Sequence, residues 1–541
     1  MSSPATIPEA LFATAERGAG EYVFHLEEGP VRLSCAELAE RASHGARRLA
    51  ALGVEPGDAV GVLGPNRPEW AVWAFATWIA GAVLVPVQIP LRIRDPAAFR
   101  EQLHSLVAAG RCRCVLADPE LSALLPAGVA VPWDEAGEEA SEQSVAPLAE
   151  GAAVVQFTSG STARPKGALL THAAVMAQVV DVLHSYRYED GSPRSVLSWT
   201  PFFHDLGLFA NLVQPAFSGA VVHQLPTECF ARDPAEWLRL VERTRAALTV
   251  GPSSAFGSAL RAAGRRGERP DLSSLEIAYF AAEGVDPAVA RRMVESADGF
   301  NLDPAALGST YGLAEAVMAV SYSTAGTGLR FDRVSLEELA GSGVAVPAGD
   351  GPARVLASCG PPLMDLRIVD RDGDELTERC VGEIQLRGAS LMSGYVGAAA
   401  PDPFVDGWLC TGDLGYLAGG ELHVTGRVKD IVIATGHNYY PEDFEWAAGR
   451  AEGVRPGRCV AFNLRGSEDV VVLVEARDYQ AGAARRLERE VKREIVNAVG
   501  IRPSDVVVLP PGVVQKTTSG KLRRAEMRQA YASGTLFAGV P

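Results

Sequence analysis

No run of about 18 uncharged apolar residues occurs anywhere in the 541-residue chain, so a membrane-spanning helix is not expected. Positive charge is also in deficit. Lys and Arg number 50 against 66 Asp and Glu, a net charge of −16, which is the wrong sign for a general nucleic-acid or anionic-membrane binder. An anionic ligand must therefore be held by donors concentrated locally. The eight cysteines (35, 112, 114, 229, 359, 380, 410, 459) include no Cys-x-x-Cys pair, and the expectation is a reduced, cytoplasmic chain. Cys112 and Cys114 lie close together but have too few potential ligands nearby for a metal site, and they read as strand sulfur. The opening residues, MSSPATIPEALFATAERGAG, have neither a basic start nor a continuous apolar run, so secretion is not expected. Internal repeats and long low-complexity tracts are missing as well. What is present, 47% apolar and 21% charged residues, is ordinary for a globular protein. At roughly 150 residues per domain, a chain of this length should build more than one.

From Leu33 to Leu52 apolar residues recur at three- and four-residue spacing until Gly53, Pro56 and Gly57 stop the helix. The apolar run Ala59 to Leu63 follows, then a helical pattern from Trp70 to Ile79, then Val83 to Val87. This is strand, helix, strand: an α/β unit with parallel strands. Further short apolar runs at Cys114–Ala117, Val154–Phe157, Ala220–His223, Leu248–Val250 and Ile277–Phe280 extend the alternation into a large layered α/β body. Pro126 to Gly151, rich in Glu, Ser, Ala and Pro, reads as a solvated connector. Beyond Leu422–Thr425 lies a compact tail with a strand at Val470–Ala476 and an amphipathic helix at Ala483–Val499. The fold class is α/β, with a large multi-layered N-terminal domain, 1–428, and a small α+β C-terminal domain, 429–541.

The segment Phe157-Thr-Ser-Gly-Ser-Thr-Ala-Arg-Pro-Lys-Gly167 follows a predicted strand and gathers glycine, hydroxyl side chains and two cations. Backbone N–H groups, hydroxyls and Lys166 could wrap phosphate oxygens. It lacks the Gly-Lys-Ser/Thr ending of a Walker loop, and taken alone it reads better as a polar turn or linker. Six further motifs follow in order: Ser198-Trp-Thr-Pro-Phe-Phe-His-Asp-Leu-Gly-Leu208; Tyr279-Phe-Ala-Ala-Glu-Gly284; Ser309-Thr-Tyr-Gly-Leu-Ala-Glu315; Thr411-Gly-Asp-Leu-Gly415; Thr425-Gly-Arg-Val-Lys-Asp430; and Lys516-Thr-Thr-Ser-Gly-Lys521.

With these motifs the chain resembles the adenylate-forming superfamily of acyl-CoA synthetases, amino-acid-adenylating domains, luciferases and fatty acyl-AMP ligases, over almost its whole length. The resemblance implies a distorted β-barrel part within the large domain and a mobile small domain. It implies ATP and Mg²⁺ as cofactors and a carboxylic acid as substrate. A carboxylate must then attack the α-phosphorus of ATP, two anions must meet, and charge neutralisation is the main task. By the same resemblance Thr158, Ser159, Gly160, Ser161, Thr162 and Lys166 would hold phosphates, with Glu315 and Thr158 at the Mg²⁺ ion. Thr310 would meet the α-phosphate. Tyr311, Gly312, Ala282 and Glu283 would border adenine, and Asp413 with Arg427 would take the ribose hydroxyls. Lys521, otherwise an exposed tail lysine, would be the catalytic cation. His204, otherwise a core histidine, would wall the acyl site, and Lys429, otherwise a surface lysine, would be the hinge.

Several details are closest to the fatty acyl-AMP ligase branch: His204-Asp-Leu-Gly-Leu208, Leu422-His-Val-Thr-Gly-Arg427 and Gly436-His-Asn-Tyr-Tyr-Pro441. From Glu315 to Gly360 there are 45 positions, about twice the separation usual for acyl-CoA synthetases. Phe331 to Leu339 lies in that excess and looks like the branch's insertion; a neutral surface loop is the alternative. Ala163, Arg164, Gly284 and Gln515 depart from the commoner pattern without removing a catalytic charge. The expected reaction is ATP-dependent formation of an acyl-AMP, fatty by resemblance, then transfer to the phosphopantetheine thiol of an acyl carrier protein. An acyl-CoA ligase and an adenylate-binding protein without turnover are the rivals.

Overall fold

The computed structural model describes residues 4–90, 93, 95–133, 151–157, 166–186, 194–397, 402–517 and 520–537. The chain forms two compact units, one from Met1–Ala282, Arg291–Leu329 and Arg387–Pro403, the other from Glu283–Ala290, Arg330–Leu386 and Phe404–Pro541.

The first unit contains two sheets. One runs, in spatial order, Gly394–Gly397, Lys166–Thr171, Ala152–Phe157, Val83–Pro86, Ala59–Leu63, Cys112–Ala117 and Ala130–Pro132. Ala59–Leu63 lies parallel to both its neighbours, as strand–helix–strand alternation requires. Val60, Val62, Leu84, Val85, Val115 and Leu116 are fully buried, and burial on both faces is why these strands read as unbroken apolar runs. The helix before them spans Cys35–Ala51. A capping box fixes its start: Ser34 Oγ accepts the Glu37 N–H at 3.1 Å, and Glu37 Oε2 accepts the Ser34 N–H at 2.9 Å. Ala130–Pro132, inside the stretch read as a connector, is instead a short parallel edge strand on Cys112–Ala117. Three residues are too few to show a period. Residues 134–150 of that connector lie outside the described residues. All eight cysteines are free thiols; Cys112 and Cys114 share one strand, where burial pushes them up to about 12 and about 11.

The other sheet runs Ser321–Tyr322, Leu307–Tyr311, Ile277–Phe280, Leu248–Gly251, Ser195–Ser198, Val221–Gln224, Glu21–Leu26 and Gly29–Ser34. From Leu307–Tyr311 through Glu21–Leu26 every pairing is parallel. The C-terminal ends of these strands therefore share one edge, where open α/β sheets bind ligands.

The second unit is built differently. Trp408–Ala418 pairs antiparallel with Gly382–Arg387, Phe404–Val405 and Glu421–Arg427, and Phe331–Ser335 pairs antiparallel with Ala353–Ala357. Further along, Val470–Ala476 lies between Val454–Asn463 and Asp505–Leu509. Its alternate residues serve two cores, as a period of two dictates. Val470, Val472 and Val474 pack with Phe444, Val491 and Ile495, on the helices Pro441–Ala448 and Ala481–Val499. Val471 and Leu473 pack with Met527 of the helix Arg524–Ala532.

Candidate active site

Lys166 opens its strand directly after the segment that carries Thr158, Ser159, Gly160, Ser161 and Thr162; those five lie outside the described residues. Gly394–Gly397 pairs with the same strand and sets Tyr395 opposite Ala168. This brings the Tyr395 ring to 5.4 Å from Lys166 Nζ, within range of a cation–π attraction. The Tyr395 hydroxyl donates to Glu315 Oε1 at 2.8 Å. Burial first, and then the Glu315 carboxylate, push the phenol well above its ordinary value, so it remains a protonated donor at neutral pH. A lysine, a phenol and a carboxylate from three distant segments thus meet around Tyr395.

Glu315 lies in the single 3₁₀ turn Ala314–Ala316. The chain leaves that turn through Val317 at φ 62°, a left-handed conformation that β-branched residues seldom adopt. The Met392 N–H donates to the Glu315 carbonyl at 2.8 Å, clamping the turn from the Tyr395 side. Just upstream, Thr310 and Tyr311 end the strand Leu307–Tyr311, and Thr310 Oγ1 donates to the Ser321 carbonyl at 2.7 Å. Gly312 has to be glycine, because a Cβ there would lie 1.8 Å from the Met318 carbonyl oxygen. Ala282, two residues past the end of Ile277–Phe280, is also left-handed at φ 66°.

His204 follows the end of Ser195–Ser198. Phe202 is fully buried, its ring centroid 5.3 Å from that of Trp70. Its N–H donates to Asn66 Oδ1 at 2.9 Å, and Asn66 Nδ2 donates to the Thr200 carbonyl at 2.8 Å. The aromatic-His segment is thereby tied to the turn after Ala59–Leu63. His204 Nδ1 lies 2.5 Å from Asp205 Oδ1, and both side chains are largely covered. The chain then enters a π-helix, Leu206–Val213, a form that recurs at functional sites. Gly207 makes this possible: a Cβ would sit 1.9 Å from the Pro201 carbonyl oxygen. The sequence pattern gave no sign of the wide turn, since all eight residues of Leu206–Val213 are buried and the nearly all-apolar run shows no period.

In the second unit Asp413 and Arg427 are cross-strand partners. Arg427 Nε lies 2.9 Å from Asp413 Oδ1; the Asp413 side chain is 8% exposed and that of Arg427 58%. Glu283 acts on the half-buried Lys516, whose value is held below the ordinary lysine range by burial and partly restored by this carboxylate. Lys521 closes a tight turn: the Thr517 N–H donates to the Lys521 carbonyl at 2.7 Å, and the Lys521 N–H to Thr517 Oγ1 at 3.1 Å. Thr518 and Ser519 lie outside the described residues. Lys429 is exposed on the 3₁₀ turn Val428–Asp430.

No group of three or more His, Cys, Asp or Glu suited to a metal ion occurs among the described residues. Glu315 nevertheless fits Mg²⁺, an ion that typically takes one or two carboxylates and completes its shell with substrate phosphates and water. One of its oxygens accepts from Tyr395, and the other is bonded to none of the described residues. Tyr395 is the residue the motifs did not reveal. Its only signal is Leu391-Met-Ser-Gly-Tyr395, an unremarked run until strand pairing carries it to Lys166.

The AMP-binding enzyme family matches residues 11–396. The chain is 38% identical over 519 residues to a putative ligase of Mycobacterium tuberculosis, covering 92% of this chain and 94% of that one. It is 31% identical over 547 residues to a long-chain-fatty-acid–AMP ligase of Mycobacterium marinum, covering 93% and 91%. Among solved structures, one from a study of fatty acyl-adenylate ligases of E. coli and L. pneumophila superposes with a TM-score of 0.91 at 30% identity, over 98% of both chains.

Proposed function

The chain belongs to the AMP-binding enzyme family of adenylate-forming ligases, and on that premise we propose that it joins a carboxylic acid, of the fatty class, to AMP from ATP, releases pyrophosphate, and passes the acyl group to the phosphopantetheine thiol of a carrier protein. The observation that carries this reading is the meeting of Lys166, Tyr395 and Glu315. Lys166 and the hydroxyls of residues 158–162 neutralise the β- and γ-phosphates. Glu315 and Thr158 would hold Mg²⁺, which supplies positive charge to the phosphate oxygens when bound. Tyr395 orients the Glu315 carboxylate by donating to one oxygen. Thr310 serves the α-phosphate; Tyr311, Gly312, Ala282 and Glu283 border the adenine; Asp413 accepts the ribose hydroxyls with Arg427 beside it. Lys521 bridges substrate carboxylate and α-phosphate, His204 walls the acyl site, and Lys429 is the hinge between domains 1–428 and 429–541.

The test is pyrophosphate release over a panel of carboxylic acids, followed by transfer of the product to CoA or to holo-carrier protein. No release with any acid would leave an adenylate-binding protein. Glu315→Gln should cut turnover by about 10²-fold, since the amide cannot supply the lost charge, and added Mg²⁺ should rescue it only in part. An unchanged Mg²⁺ dependence would count against the metal role.

Preference for a carrier protein over CoA draws support from the segment after Glu315. Phe331–Ser335 leads into the helix Leu336–Gly341, with Ser335 Oγ accepting the Glu338 N–H. Leu336 and Ala340 join the core that holds Val432, Tyr439 and Phe444, while Leu339 packs with Tyr416 and Tyr440. The insertion therefore grips residues on both sides of Lys429, and such contacts resist rotation about it. A bias of about 1.4 kcal/mol shifts two populations tenfold. Removing 327–350 outright would strip these cores, so the sharper test is Leu336→Ala. It should raise acyl-CoA formation several-fold while pyrophosphate release stays near wild type. Free CoA acylated by the wild type as efficiently as a carrier protein would put the acyl-CoA ligase reading first.

A further inference from the structure

From Lys429 onward the chain holds 17 Lys and Arg against 14 Asp and Glu, within a protein whose total is −16. Much of this local excess sits on one helix. Ala481–Val499 buries Val491, Ile495 and Val499 and packs Leu487 against the same core. Its other side carries Arg485, Arg486, Arg489 and Arg493, all exposed. Arg485, Arg489 and Arg493 stand four apart and form a single stripe. Val496 continues the exposed side at 42% accessibility, and Tyr479 stands just before the helix at 37%.

The stripe does not serve the helix itself. Like charges at four-residue spacing destabilise a helix, and cations in its N-terminal half oppose the macrodipole. Of these four arginines only Arg493 has an ion-pair partner among the described residues. Glu488 is engaged by Lys492 at 2.7 Å, and Glu490 and Glu494 lie 3.8 and 3.5 Å from Arg493. Arg485, Arg486 and Arg489 form no ion pair among the described residues. Exposed arginine and tyrosine are the residue types enriched at protein-binding surfaces.

We propose that this face docks an acidic protein, and that its occupant is the carrier protein that presents the acceptor thiol; the inference rests on the carrier-protein reading above. Residues 1–428 hold 33 Lys and Arg against 52 Asp and Glu, so the net charge of the rest of the chain offers an extended polyanion no attraction. Arg485 to Arg493 spans about 12 Å at 1.5 Å per residue, the scale of two turns of a partner helix. A small folded partner with one acidic face fits that footprint, and charge of this kind sets encounter rate and orientation.

The experiment uses the full chain carrying Arg485→Glu with Arg489→Glu. Acyl transfer is measured to the holo-carrier protein that the wild type acylates best within a panel, alongside pyrophosphate release in the same preparation. The variant should lose about tenfold or more in kcat/KM for the carrier, mostly through KM, and lose the salt dependence seen in the wild type, with pyrophosphate release unchanged. If the charge reversal impairs folding, Arg485→Gln with Arg489→Gln decides the matter by the same readouts. Undiminished transfer with an unaltered salt dependence overturns the proposal. So does unaltered transfer combined with loss of binding to phosphatidylglycerol vesicles or duplex DNA, which would assign the stripe to a membrane or nucleic acid. A wild type that acylates CoA but no carrier in the panel defeats the acceptor reading itself, and the docking site with it.

Discussion

Replacing Lys521 by alanine should lower pyrophosphate release by a factor of about 10²–10³ or more, while nucleotide binding and Tm stay close to wild type. The attacking carboxylate and the α-phosphate are both anions, and a cation placed between them acts mainly on the charge of the transition state. Lys521 suits that work. Its backbone is pinned by both Thr517 contacts, at 2.7 and 3.1 Å, so the turn keeps its shape when the side chain is truncated. Gly520, at φ 87°, supplies the left-handed residue the turn needs. Isothermal titration with ATP and a thermal melt separate the two halves of the prediction. Wild-type pyrophosphate release by the variant would remove Lys521 from the chemistry; loss of ATP affinity in step with turnover would make it a binding residue.

Arg354→Met should destabilise the protein by about 3–5 kcal/mol, the usual result of leaving one partner of a buried ion pair alone. Arg354 sits on Ala353–Ala357, the strand that follows the insertion, and its side chain is 4% exposed. Its Nε lies 2.9 Å from Asp443 Oδ1, itself 5% exposed. Its Nη2 donates to the Thr425 carbonyl at 2.7 Å, and the guanidinium stacks 4.1 Å from the centroid of Tyr440. Burial already holds the Asp443 carboxyl above the ordinary value of 3.8, opposed chiefly by the charge of Arg354. The sign of the pH effect follows. With a folded value raised above the unfolded one, the stability this carboxyl contributes is full below 3.8 and declines as pH rises through the raised value. Without Arg354 the carboxyl rises further, so the destabilisation should shrink as pH falls from about 8 toward about 5, where a neutral acid tolerates burial better. Urea unfolding across that range checks it. Arg354→Met with Asp443→Leu should recover much of the loss, because an apolar pair of similar volume needs no charge compensation. A loss that does not vary with pH, or a double variant no better than the single, would show that the stack on Tyr440 and not the ion pair carries the effect.

Much of this protein could be read directly from the order of its residues. The strands at Ala59–Leu63 and Ile277–Phe280, and Val470 to Val474 of a third, are unbroken apolar runs because their surroundings are apolar on both sides. The helix at Cys35–Ala51 is announced by Ser34, by Glu37 three positions later and by Gly53 beyond its end. Lys166, Glu315, Asp413, Arg427 and Lys521 sit in short motifs of small and charged residues, where chemistry leaves few substitutes. Other features depend on pairings between distant segments, to which local periodicity is blind. Tyr395 gains its partners only when Gly394–Gly397 lies antiparallel to Lys166–Thr171. The π-helix after His204 reflects the close approach of Gly207 to the Pro201 carbonyl. The edge strand Ala130–Pro132 exists because Cys112–Ala117 offers it unpaired backbone. The segment Phe331 to Leu339, visible in the sequence only as excess length, sends Leu336 and Leu339 into two different cores. Sequence alone determined which chemical groups this chain carries and the order in which they come; only tertiary structure decided which of them touch, because contact depends on long-range pairing and packing that no local pattern encodes.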